Sequence, residues 1–370
     1  MMKPITKLHS LGQSIWYDNI ERRLLTGGEL AAMIERGDIR GITSNPSIFN
    51  NAISKSSDYD NALIPLAQQG LSKEEIYEAL AIEDIRAACD LFRPLYNATD
   101  GGDGYVSLEV SPYLANDTET TRAEAARLWK LVARPNLMVK IPATRAGLPA
   151  ITQSIAAGIN VNVTLIFSIA RYIEVMDAYL SGLEQRLNAG QPIDHLASVA
   201  SFFVSRIDTN IDSRLQAIVD AGGESAERAA ALQGKIAVAS AKLAYARHKD
   251  IFGGDRWERL NTRGARIQRP LWASTSTKNP AYPDTKYVDE LIGPDTVNTI
   301  PPKTLIAFGA HGSAELTLAA GVDAARAAID ELAALGISIT EITQELEDQG
   351  VKSFADAFTA LLESVEKRRN

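Results

Sequence analysis

A lysine in the middle of an apolar run is the residue best placed to do chemistry in this sequence. Lys140 stands in LMVKIP, with Leu137, Met138 and Val139 before it and Ile141 after it. Burying an ammonium costs free energy unless it is paired or gives up its proton. Burial favours the neutral amine, and a neutral amine in an apolar pocket can attack a ketone carbonyl to form a Schiff base. The same run also fits a structural lysine paired with a carboxylate across a sheet, and the residues around Lys140 leave both readings open.

Other polar side chains recur at the ends of short apolar runs. Asp18 ends the first such run, Thr43 and Asn45 the second, and Glu109 the third. Asn162 and Thr164 sit in the fifth, Ser201 and Arg206 in the sixth, and Ser274 in the seventh. Each alone has an ordinary explanation. Asp18 could cap a turn, and Asn45 before Pro46 is a common turn pair. Glu109 could lie at an exposed edge, Asn162 and Thr164 could face solvent, and Arg206 could pair with Asp208. Their repetition from run to run weakens these explanations together.

The elements that would position these groups alternate between strand and helix. Strands are expected at Ser14 to Asn19, Ile39 to Asn45, Gly104 to Val110, Asn136 to Pro142, Ile159 to Phe167, Ala197 to Asp208, Ala265 to Ser274 and Thr296 to Ile300. Helices are expected at Gly28 to Arg36, within Ser47 to Leu95, and at Asp117 to Ala133, Leu148 to Ala157 and Ser168 to Leu187. Further helices are expected up to His248, at Gly321 to Leu335 and at Ser353 to Lys367, with none between the last two strands. Ser72 followed by Glu74 and Glu75 marks a helix start. Alternating elements argue for a parallel sheet, and eight units argue for closure into an α/β (β/α)8 TIM barrel. The expectation is one domain over 1–370 with a C-terminal helical extension from about residue 320. In such a barrel the active site lies at the C-terminal ends of the strands, where the polar residues cluster. No glycine-rich dinucleotide fingerprint follows the first strand, and the GGDG run at Gly101 to Gly104 reads as a turn.

Composition narrows the function classes. A net charge of −8 disfavours non-specific nucleic-acid binding but leaves room for a small basic pocket. Cys89 is the only cysteine, so no disulfide can form within the chain. Its context, EDIRAACDLF, reads as a core thiol on an amphipathic helix. The N-terminal run MMKPITKLHSLGQ has no signal-peptide core, and no stretch approaches a membrane span. A soluble cytoplasmic protein is expected, with the charged EKRRN end free. His9, His195, His248 and His311 are not spaced as metal ligands, and His311 reads as a loop or helix-end residue.

Several of these runs together resemble the transaldolase family: TSNPSIF from Thr43, NLMVKIPAT from Asn136, GINVNVTLIFS from Gly158, SFFVSRID from Ser201 and WAST from Trp272. The stretch from Arg269 to Pro301 is similar to the longer bacterial branch. The resemblance covers almost the whole chain. It implies transfer of a dihydroxyacetone unit between sugar phosphates through a lysine Schiff base, in the non-oxidative pentose phosphate pathway, without metal or cofactor. Lys140 matches the Schiff-base lysine, Asp18 the acid–base residue, and Glu109 with Thr164 the pair that positions a catalytic water. Asn45 and Asn162 match the amides that hold dihydroxyacetone hydroxyls. Thr43, Ser201 and Phe203 match pocket-lining residues, and Arg206 a phosphate-binding arginine. One departure is expected to matter. Ser276 occupies the position of a second phosphate arginine, so Lys278 is expected to substitute, with Ser274 and Ser276 assisting. The partners implied are small sugar phosphates, with neither nucleic acid nor membrane, and a monomer or homodimer. Two alternatives stay open: a class I aldolase that releases dihydroxyacetone, and a non-catalytic sugar-phosphate-binding barrel. The resemblance favours the transferase at Glu109, where related fructose 6-phosphate aldolases carry a different residue.

Overall fold

The computed structural model describes residues 2–369; Met1 and Asn370, the ends of the expected 1–370 unit, lie outside the described residues. Eight parallel strands close in chain order into a barrel: β1 (Gln13–Tyr17), β2 (Gly41–Ile42), β3 (Tyr105–Glu109), β4 (Leu137–Pro142), β5 (Val161–Ile166), β6 (Ser198–Phe203), β7 (Arg269–Ala273) and β8 (Thr296–Ile300), with β8 pairing back onto β1. The expected (β/α)8 barrel is the fold. Every residue of β4, β5 and β6 is buried, as parallel strands covered by helices require.

Two helices show the apolar period and the cap together. In Ile169–Asn188 the buried Tyr172, Val175, Met176, Tyr179 and Leu183 recur at intervals of three and four, and Ser168 caps the start by accepting from the Arg171 N–H. Lys73–Ala98 begins at the expected Ser72, which forms a capping box with Glu75. Cys89 is buried on this helix. Among the described residues, no helix is long and apolar enough to cross a membrane.

The differences from expectation lie at element ends. The second strand has only two ladder residues, because Asn45 leaves the sheet to cap the helix Pro46–Ser54. The long helical region is broken into Pro46–Ser54, Asp60–Gln68 and Lys73–Ala98. β6 stops at Phe203, and a helix, Ser205–Ala221, begins two residues later. Arg206 is therefore on that helix, not on the strand. A four-residue helix, Lys286–Asp289, intervenes between the last two strands, where none was expected. His311 ends the helix Pro302–His311, as expected.

The two ends of the barrel differ in chemistry. At the N-terminal end, Asp103 from the GGDG turn accepts from Ser14 Oγ at 2.7 Å and Trp16 Nε1 at 3.2 Å and pairs with Arg269 at 3.1 Å. Contacts at this end of such a barrel serve stability rather than chemistry. The C-terminal extension comprises Val322–Ala334 and Ile339–Arg369. The second of these helices lies over the other end of the barrel. Gly350 allows close approach: a Cβ there would stand 3.0 Å from Leu165. Glu347 pairs with Arg171 at 3.3 Å, and the Phe358 ring meets Tyr77 and Tyr113 edge-on. Arg368 donates to the carbonyls of Ile53 and Ser56, anchoring the far end.

Candidate active site

Strand register builds the centre of the site. Glu109 on β3 is level with Lys140 on β4, which is level with Asn162 on β5. Level residues on parallel strands project from the same face of the sheet, so three polar side chains form one row inside the barrel. Two residues earlier on β3, Ser107 faces the same way and accepts from Asn162 Nδ2 at 2.9 Å. Ser201 on β6 donates to Asn162 Oδ1 at 2.7 Å. Asn162 is thus held at both ends of its amide and still has one N–H and one lone pair to offer.

Lys140 is 5% exposed. Its amine donates to the Ser44 carbonyl at 3.2 Å and stands 3.5 Å from Glu109 Oε2. That last distance is longer than a strong charge-assisted hydrogen bond, and Glu109 Oε2 is buried without a hydrogen-bond partner. Both readings of Lys140 are therefore present in one geometry: the lysine faces a carboxylate on the adjoining strand, and it also borders a cavity. Burial raises the Glu109 carboxyl to about 7, with the Lys140 charge opposing the rise and Asp18 adding to it. Thr164 Oγ1 is likewise buried and unpartnered.

The cavity at the C-terminal end of the strands has a volume of about 150 Å³. It is lined by nine of the twelve expected residues: Asp18, Thr43, Asn45, Lys140, Thr164, Ser201, Phe203, Arg206 and Ser274. Asp18 lies one residue past β1, where Thr43 donates to its Oδ1 at 2.7 Å. Thr43 has a single proton, so its 2.6 Å contact with Thr299 Oγ1 must be donated by Thr299. The result is a relay from Thr299 through Thr43 to Asp18. Burial pushes the Asp18 carboxyl above its ordinary value, against the Thr43 hydrogen bond and the charges of Lys140 and Lys278. Asn45 divides its amide: Oδ1 caps the following helix at Ile48 N, 3.0 Å away, and Nδ2 is left to serve the cavity.

Backbone irregularity marks the same end of the barrel. The β5–β6 register shifts between Val163 and Ile166, and Leu165 has φ +60°. Ser274, just past β7, has φ +56°. Such conformations cost free energy outside glycine and occur where side chains are re-aimed near sites. Here the shift presents Thr164 to the cavity while Leu165 meets the C-terminal helix at Gly350.

Three expected residues do not line this cavity. Asn162 lies behind it, bonded to Ser201. Glu109 borders a neighbouring cavity of about 370 Å³ that also reaches Asn45, Tyr77 and Phe358. Lys278 is exposed and donates to Ser276 Oγ at 2.5 Å. Partial desolvation of the ammonium and the nearby Arg206 lower its pKa, while Asp18 raises it. Arg206 rests over the Phe203 ring at 5.3 Å, and burial lowers its pKa as well. Arg206 does not pair with Asp208, whose carboxylate accepts instead from Ala237 N and Tyr287 Oη, both at 2.7 Å. Two cations thus approach each other beside a helix N-terminus, an arrangement that favours an anion.

Sequence reasoning missed Ser107, Thr299, the Ser44 carbonyl and Phe354. Thr299 carries a readable signal, since it sits late in a strand on the inward period of two; Ser107, in the middle of its strand, reads as ordinary packing. Phe354 carries none. It comes from the helix Ile339–Arg369 and places its ring 5.7 Å from Lys140 Nζ.

Comparison with known proteins agrees with this architecture. A family model described as Transaldolase/Fructose-6-phosphate aldolase matches residues 15–365. A transaldolase of Thermobifida fusca (strain YX) is 50% identical over 366 residues, covering 99% of this chain and 98% of that protein. A transaldolase of Acidothermus cellulolyticus is 50% identical over 366 residues, covering 99% and 96%. A transaldolase of Trichodesmium erythraeum is 46% identical over 370 residues, covering 98% and 97%.

Proposed function

The chain belongs to the transaldolase/fructose-6-phosphate aldolase family, and on that premise we propose that it transfers a dihydroxyacetone unit from a ketose phosphate to an aldose phosphate through a Schiff base on Lys140. The donors would be sedoheptulose 7-phosphate or fructose 6-phosphate, and the acceptors glyceraldehyde 3-phosphate or erythrose 4-phosphate. The setting would be the non-oxidative pentose phosphate pathway in the cytoplasm. The observation that carries this reading is the enclosed Lys140 amine sharing one cavity with Asp18, with Arg206 at its edge.

Lys140 Nζ adds to the donor C2 carbonyl. Glu109 supplies the proton with which the carbinolamine hydroxyl leaves as water, and Thr164 helps hold that water. Their buried, unpartnered oxygen atoms suit this task. A carboxyl titrating at about 7 can both give and take a proton near neutrality. The protonated imine then draws electrons from the C3–C4 bond while Asp18 takes the C4 hydroxyl proton. The bond breaks, the aldose phosphate leaves, and an enamine remains on Lys140. Its C3 attacks the acceptor aldehyde, Asp18 returns the proton to the new hydroxyl, and hydrolysis frees the product ketose and the lysine. Asn45 Nδ2 holds a hydroxyl of the three-carbon unit, and Asn162 orients Ser201 toward another. Arg206, the N-terminus of its helix and Lys278 hold the phosphate. The lysine supplies the electron sink, so this sequence of steps calls on neither metal nor cofactor.

Borohydride reduction in the presence of fructose 6-phosphate, followed by peptide mass mapping, tests the reading. The expected product is a reduced adduct on Lys140. An adduct on another lysine, or none, overturns the mechanism. An adduct accompanied by release of dihydroxyacetone but no transfer to an added acceptor would make the protein a lyase.

A further inference from the structure

We propose that Phe354 is a specificity-determining residue that keeps the enamine on Lys140 from being lost to water before an acceptor arrives. The inference rests on the Schiff-base reading and goes beyond it. Phe354 lines the cavity and is 5% exposed, and its ring centroid is 5.7 Å from Lys140 Nζ. The other groups in contact with that amine are polar, the Ser44 carbonyl and the Glu109 carboxylate. Phe354 therefore supplies an apolar wall to a pocket that is otherwise lined largely by polar groups.

The helix is built to hold this ring in place. Glu347, Gly350, Phe354 and Phe358 follow one another at intervals of three, four and four, and so share one helix face. Glu347 is fixed by Arg171, and Phe358 by Tyr77 and Tyr113. Gly350 lets the helix settle on Leu165 and Phe167 one turn before Phe354. These contacts lie on both sides of Phe354.

After the aldose leaves, the enamine has two fates. Its C3 can attack an aldehyde carbonyl, forming a carbon–carbon bond, with the Asp18 proton passing to the aldehyde oxygen. Otherwise C3 takes a proton, water adds to C2 of the resulting imine, and the C–N bond breaks. Dihydroxyacetone then leaves and the Lys140 amine is restored. The first fate needs an acceptor; the second needs only a proton and water. Hydrolysis at C2 closes both cycles, so the two fates part at C3: an aromatic ring beside the enamine limits the room for a water that would deliver a proton to C3, and so disfavours the second fate.

The test compares Phe354→Ala, Phe354→Leu and Phe358→Ala with the unsubstituted chain, in two readouts. One is the rate of dihydroxyacetone release from fructose 6-phosphate alone, relative to the rate of transfer to erythrose 4-phosphate. The other is the borohydride adduct on Lys140. The expected result is a rise of about tenfold in the release-to-transfer ratio for Phe354→Ala, largely reversed in Phe354→Leu, which restores apolar bulk. Phe358→Ala, which loosens the helix without opening the cavity around Lys140, is expected to leave the ratio within about twofold. An unchanged ratio in Phe354→Ala with the Lys140 adduct intact overturns this inference alone. An equal rise in Phe358→Ala also overturns it, since helix docking would then be the cause. Absence of the adduct in the unsubstituted chain overturns the Schiff-base reading with it.

Discussion

Replacing Lys140 by methionine would expose how strongly the buried lysine and Glu109 depend on each other. Methionine keeps most of the length and volume and removes the charge. The two side chains are 6% and 5% exposed and stand 3.5 Å apart. Burial raises the folded-state pKa of Glu109 to about 7, while an unfolded glutamate titrates near about 4.3. Between these values the folded chain holds a proton that the unfolded chain has released. Stability therefore falls as pH rises through that window and is level above it. At about 1.4 kcal/mol per pH unit, the loss reaches roughly 3–4 kcal/mol by neutrality. The Lys140 charge opposes the rise in Glu109. Without it, the upper edge of the window moves above 7 and stability continues to fall. The difference between unsubstituted chain and variant should thus grow by about 1–2 kcal/mol between about pH 6 and about pH 8.5. Urea unfolding followed by circular dichroism at the two pH values measures it. A difference that is the same at both would refute the coupling.

Three further outcomes are expected. Asp18→Asn should still give the borohydride adduct on Lys140 while aldose release slows by roughly 10²–10⁴-fold; loss of the adduct would place Asp18 in an earlier step. Lys278→Ala should raise KM for fructose 6-phosphate about tenfold and leave KM for unphosphorylated fructose unchanged; equal KM values for the phosphorylated donor would exclude Lys278 from phosphate binding. Asp103→Ala should cost about 2–3 kcal/mol in urea unfolding by removing the carboxylate that Ser14, Trp16, Arg40 and Arg269 share at the barrel's N-terminal end, with kcat of the folded fraction unaltered, because the substitution lies away from the chemistry.

Much of the site was legible because a closed parallel barrel makes polar residues conspicuous. Inside β4 every neighbour of Lys140 is apolar, so the lysine stood out, and Glu109 and Asn162 followed at equivalent depths on the flanking strands. Arg206 was placed on the wrong element because SFFVSR contains no glycine or proline to show where the strand gives way to helix. Ser107 passed unnoticed because a small serine in a buried strand has an ordinary packing role, and only the Asn162 contact reveals another. Asp103 read as part of a turn, which it is, but its partners come from β1 and β7 and could not be paired from spacing alone. Phe354 reaches Lys140 across more than two hundred residues of chain, and nothing local marks it as part of the site.

The helix over the barrel mouth also places the site in time. A chain made from its N-terminus has all eight strands before the 31 residues of Ile339–Arg369. At roughly 5–20 residues per second those residues take about 2–6 s to add. The ring beside the reactive amine thus comes from a segment added to the chain after every strand that positions that amine.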